Sequence, residues 1–154
     1  MMRLYQIMIV ASASAAGCGG TTITGEPLIS GSVAGSYDGS AYAIKYGVAA
    51  PRKTGFVILL GSEPINCDSL TAADPPSGDS AAISMPALDV NHYGNVGVEL
   101  LHNIGSFTGT GSNSGSVEIT SSNSASVAGT VSYSDTISTK MYSLSGTFEV
   151  LRCP

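Results

Sequence analysis

The sequence predicts an all-β domain: an antiparallel β-sandwich or a partly closed barrel of about eight strands, with one short helix near 63–72. Three observations lead there. First, apolar and polar residues alternate over long stretches, with Ala125, Val127, Gly129, Val131 and Tyr133 set against Ser124, Ser126, Thr130, Ser132 and Ser134. Period two is the pattern of a half-buried antiparallel strand. Second, 24 Ser, 12 Thr and 19 Gly dominate the 154 positions, and these residues fill helices poorly. Third, turn-forming clusters such as Tyr37-Asp38-Gly39 and Ser121-Ser122-Asn123 separate the alternating stretches. The length suits one domain. Charged residues make up 11% of the chain and the net charge is −5, so a nucleic-acid partner lacks its electrostatic footprint.

Met1-Met2-Arg3, the apolar run from Leu4 to Val10 and the small residues from Ala11 to Gly17 read as a secretory signal. The run is shorter than the roughly 20 apolar residues of a membrane-spanning helix. Ala15-Ala16-Gly17-Cys18 resembles the lipobox of bacterial lipoproteins, with Ala15 where Leu is usual. In that family the Cys thiol is diacylglycerated, the signal is cut before it, and the new amine is usually acylated. Residues 1–17 are then the signal peptide, Cys18 the lipidation site, 18–27 a flexible tether, and 28–154 one β domain. Several acyl chains on one residue suffice for stable attachment to a lipid bilayer. Gly19 stands where an Asp commonly retains such proteins in the inner membrane, so the resemblance implies the outer membrane where the host has one. Ordinary signal cleavage, for which Ala11-Ser12-Ala13 and Ala13-Ser14-Ala15 both fit the small-x-small pattern, is the competing reading.

Strands are expected at 28–36, 41–49, 55–61, 80–88 and 95–103, then around Val117 and Ile119 and over the stretches ending at Ser134 and Val150. Phe56 to Leu60 is apolar throughout, which predicts a central strand covered on both faces. Ser62-Glu63-Pro64 opens the expected helix, with Ser62 as N-cap and Pro64 in the first turn. Gly109 to Asn113 reads as a hairpin loop. Gly31, Gly35, Gly129 and Gly146 interrupt apolar faces beside large residues, a pattern that permits strong curvature or the close packing of an aromatic ring across the glycine and favours a coiled sandwich or partly closed barrel. Tyr42, Ile44 and Tyr46 share one strand face and are expected in the core, leaving Tyr93 as the exposed aromatic.

Cysteine arithmetic bears on the signal. The chain carries Cys18, Cys67 and Cys153. With Cys18 consumed by lipid, Cys67 and Cys153 form an even pair for a disulfide in an oxidising compartment, whereas ordinary cleavage strands one thiol. A nucleophilic Cys67 is the rival, but the neighbouring acids Glu63 and Asp68 oppose thiolate formation. The lipobox, "ISGSVAG" from Ile29, "LLGSEPINCDSL" from Leu59 and "LSGTFEVLRCP" from Leu144 together resemble small bacterial lipoproteins of uncharacterised function. The resemblance implies an exported, lipid-anchored β-domain and supplies no catalytic residues.

Chemistry-bearing side chains are few. Asp89, Asn91, His92, Glu99 and His102 gather in "DVNHYGNVGVELLH", the one segment where a metal or acid–base site could assemble. Asp89-x-Asn91 with Gly94 is similar to a calcium loop, but Tyr93 holds a ligand slot and Leu100 the twelfth position. Zinc needs three convergent ligands, and nothing in the spacing puts His92 and His102 on one face; a polar loop between strands is the expectation. No hydrolase or phosphate-binding motif and no cofactor motif occurs. The expected function is a membrane-anchored structural or binding module at the cell envelope, with an envelope protein or a glycan as partner through Tyr37, Tyr42, Tyr46 or Tyr93. The alternative is an exported enzyme or metal-binding protein using Asp89, His92 and His102.

Overall fold

The computed structural model describes residues 25–70, 77–103 and 107–154; the expected signal peptide, Cys18 and most of the tether lie outside them. Nine strands follow in order: β1 (Ser30–Tyr37), β2 (Ser40–Ala43), β3 (Tyr46–Pro51), β4 (Phe56–Gly61), β5 (Gly78–Met85), β6 (Asn91–Asn103), β7 (Phe107–Ser122), β8 (Ser126–Ile137) and β9 (Lys140–Arg152). Consecutive strands from β3 to β9 pair antiparallel, and β9 returns to β3 through a short parallel ladder, Val48↔Leu151 and Ala49↔Arg152. Seven strands thus close into a barrel, and closure removes the sheet edges that would otherwise stay open. The β1–β2 hairpin lies against the remaining length of β9, from Ser30↔Glu149 to Tyr37↔Tyr142. Its turn, Asp38-Gly39, has φ of 50° and 82°, the positive pair that a two-residue hairpin turn requires and that Gly adopts at no steric cost.

The glycine pattern explains how β1, β9 and β8 come together. Directly opposed residues form rows across the three strands: Gly31–Phe148–Gly129, Val33–Gly146–Val131, Gly35–Leu144–Tyr133 and Tyr37–Tyr142–Asp135. Each of the first three rows sets large side chains beside glycine, and at Gly129 and Gly35 a ring fills space that a Cβ would occupy. A Cβ on Gly129 would meet the Phe148 ring at 3.2 Å, and one on Gly35 would meet Tyr42 Cζ at 2.7 Å. The packing of an aromatic ring over glycine that the sequence pattern permits is present at both positions. On the outward rows Ser32–Thr147–Thr130 and Ser36–Ser143–Ser134 make a hydroxyl-coated surface.

Two apolar clusters result. The barrel interior holds Val33, Ile58, Leu60, Ile83, Val98, Leu100, Ile119, Leu144 and Phe148, among others. Outside the wall, Val48, Ala50, Leu59, Ile65 and Cys153 form a second cluster. β4 is therefore buried on both faces, as its unbroken apolar run predicts. The cover on its outer face is the chain from Ser62 to Leu70, held by the Cys67–Cys153 disulfide with Cα atoms 5.7 Å apart.

The structure corrects several expectations. The helix near 63–72 is a single 3₁₀ turn, Cys67–Leu70, with Thr71 and Ala72 outside the described residues. Ile65 is drawn into the outer cluster, its carbonyl accepts from the Glu26 N–H, and Ser62 Oγ accepts from the Asp79 N–H instead of capping a helix. Gly109 to Asn113 is not a loop but lies in the first half of β7, with Gly109 to Ser112 paired to Leu101 to Val98 of β6. There the absence of side chains permits close approach: a Cβ on Gly111 would sit 2.5 Å from the Val98 carbonyl oxygen. Tyr46 packs in the outer cluster while Tyr42 and Ile44 face the interior, because the ladder is interrupted at Ile44 and Lys45, between β2 and β3, and the facing changes there. Ile29 precedes β1 and is exposed.

Candidate functional site

Strand β6 decides what the histidines can do. Register shifts between Gly94 and Val98, with Asn95 at φ 54°, move the inward position from Tyr93 to Val96, Val98, Leu100 and His102. A bulge does this by adding a residue to one strand of the pair. His92 is exposed at the start of the strand and His102 lies near its end. Ten residues at about 3.3 Å each place them roughly 30 Å apart. The structure therefore does not bring Asp89, His92 and His102 together. Nor are Asp89 to His92 simply a loop, since Asn91 and His92 already belong to β6. Among the described residues no group of three or more His, Cys, Asp and Glu is placed to hold a metal ion. Tyr93 is half-buried against the interior, and its hydroxyl donates to the Asp89 carbonyl at 3.1 Å.

His102 instead meets groups from other strands at the end of the barrel where β1, β6 and β8 finish. Asp79, opposite it on β5, accepts a short hydrogen bond on its carboxylate from His102 Nδ1. The Tyr37 ring stacks on the imidazole, centroids 4.9 Å apart and planes 13° from parallel, while the Tyr142 ring meets Tyr37 edge-on at 5.0 Å. Tyr42, on β2, and Tyr133, on β8, complete the inward-facing set. Burial, and then the nearby Asp79 carboxylate, push the Tyr42 phenol well above the ordinary tyrosine range. Burial also raises Tyr133, partly offset by the Ser112 hydroxyl. The Tyr42 hydroxyl is buried and makes no hydrogen bond among the described residues.

This cluster has the ingredients of proton chemistry, an imidazole oriented by a carboxylate with phenols nearby. Its packing is that of a plug: the imidazole face is covered by Tyr37, and the side chains of His102 and Asp79 are only 22% and 20% exposed. Sequence reasoning missed Asp79, which is 23 residues from its partner, because strand register alone brings the two together. Of the tyrosines considered as ligand platforms, Tyr37 and Tyr42 are partly buried against the interior, Tyr42 as its strand face predicts. At the opposite end, Arg152 lies over the Phe56 ring at 5.5 Å and donates to the Asn123 carbonyl at 3.1 Å, fastening the last strand to its neighbours.

No protein-family model, curated protein or solved structure matches this chain.

Proposed function

We propose that this chain is an exported bacterial lipoprotein, anchored in the membrane of the cell envelope by acyl chains on Cys18 and presenting its β-barrel as a binding or structural module. The observation that carries the reading is the sulfur inventory. The Cys67–Cys153 disulfide takes two of the three cysteines, which leaves Cys18, at the end of the lipobox-like Ala15-Ala16-Gly17, as the one for lipid. The distribution of polarity supports a domain that stands beside the bilayer. Apolar residues fill the barrel, and Ser and Thr coat its outer face over β1, β8 and β9, the reverse of a membrane-spanning barrel with its apolar outer band. No helix of the described residues is long and apolar enough to cross a membrane. Gly19 favours the outer membrane where the host has one, and the acidic balance disfavours a nucleic-acid partner.

Intact-mass measurement of the membrane-extracted protein tests this. The expected species begins at Cys18, carries acyl chains there, and is two protons lighter for the disulfide. Substitution of Cys18 by Ser should abolish metabolic labelling with a fatty acid and release the chain from the membrane fraction. A species with an unmodified Cys18, or a Cys18→Ser variant that still fractionates with the membrane, overturns the reading.

A further inference from the structure

Away from the barrel end, the outer face of β5, β6 and β7 carries a shallow concavity of about 510 Å³, within the range of small-ligand sites. Its shape follows from strand register. Glu99 on β6 is flanked by Ala82 on β5 and Gly111 on β7, and Gly97 on β6 has Ser84 opposite it on β5. The Glu99 carboxylate thus rises from a floor with no large side chain opposite it on either neighbouring strand, its Oε1 3.5 Å from where a Cβ on Gly109 would lie, and the gap over Gly97 follows two residues before it along β6. Asn113 borders that gap: a Cβ built on Gly97 would lie 3.1 Å from Asn113 Oδ1 and 3.6 Å from Ser84 Cβ. Glu99 is exposed, and neither ion pair found among the described residues involves it.

We infer that this groove is a binding site for a neutral, polyhydroxylated ring, the chemistry of a glycan residue. The inference rests on reading the domain as a binding module and gives that module a ligand class. A carboxylate offers two acceptor oxygens, which adjacent ring hydroxyls donate to together; the Asn113 amide supplies both a donor and an acceptor, and the Ser84 hydroxyl either. The floor of glycine and alanine accommodates the flat C–H face of the ring. The groove contains no basic residue, so an anionic ligand has no counter-charge there.

The test uses the full chain in a sugar-free zwitterionic detergent, with cellotetraose, maltotetraose and chitotetraose as probes, read by saturation-transfer NMR and titration calorimetry. At least one tetrasaccharide should bind, and Glu99→Gln and Gly97→Leu should each weaken it at least tenfold. Gly97 does not have a positive φ, so the Leu variant is expected to fold with its side chain in the groove. Should it fail to fold, the isosteric and exposed Glu99→Gln carries the test. Binding that both folded variants retain overturns the site while leaving the binding-module reading intact. Absence of binding by all three probes overturns the glycan assignment, and acylation of Cys18, measured separately, still reports on the anchor.

Discussion

Tyr42 shows how a single side chain links packing to solution behaviour. Its ring lies over Gly35, where there is no Cβ, and its hydroxyl ends in the interior with no hydrogen bond among the described residues. A buried hydroxyl left unpaired costs about 1–3 kcal/mol. Tyr42→Phe should therefore match or exceed the parent stability by up to about that amount in urea denaturation. The same residue sets a pH dependence. Burial raises the folded-state pKa, so above about pH 10 the unfolded chain releases a proton that the folded chain retains. Stability is full below that pH and falls as pH rises through it, and Tyr133 acts in the same direction. Denaturation between pH 8 and 11 should show the decline, and Tyr42→Phe should lessen it. Gly35 is the complementary position. Gly35→Val would drive its Cβ to 2.5 Å from the Ser143 carbonyl oxygen and 2.7 Å from the Tyr42 ring. An overpacked site of this kind costs about 1–3 kcal/mol; an unchanged denaturation midpoint would show that the Tyr42 ring is not seated there.

Among the elements, the segment from Ser62 to Leu70 depends most on a tertiary constraint. It contributes one 3₁₀ turn of four residues, too short to hold itself as a helix. What holds it is Ile65, fully buried in the outer cluster, and the Cys67–Cys153 bridge. The bridge closes a sequence separation of 86 residues, which the chain-entropy model values at about 4–5 kcal/mol. Urea denaturation with and without reductant should show a loss of about 2–5 kcal/mol for the reduced protein. The Cys67→Ser/Cys153→Ser variant should match the reduced parent. Equal stability of the oxidised and reduced forms would mean that apolar packing alone keeps the segment on the wall.

At the scale of the whole molecule, β9 joins the barrel to the added hairpin. It pairs with β8 along its length, with β1 from Tyr142 to Glu149, and with β3 through Leu151 and Arg152. Its backbone amides cannot open without parting three partners, so they should exchange with solvent only through global unfolding. β2 pairs with β1 alone among the described strands, and its amides should exchange by local opening. Residue-resolved hydrogen exchange checks this order. Protection in β2 equal to that in β9 would mean that the hairpin and the barrel open as one unit.

The sequence by itself determined the all-β class, the inward and outward faces of the later strands, the double burial of β4 and the glycine sites over which rings pack. Each is a local property: alternation, an unbroken apolar run or a missing Cβ can be read within one short stretch of chain. The loop expected at Gly109 to Asn113 became strand because Val98 to Leu101 supplied a partner that tolerates only glycine at the closest approach. Closure of seven strands, the pairing of His102 with Asp79 and the separation of His102 from His92 were decided by the tertiary structure alone. These depend on register between distant strands, where a shift of one residue reverses every side chain. The bulge near Asn95 is such a shift. It turns His102 inward toward Asp79, and no count of residues along β6 reveals it.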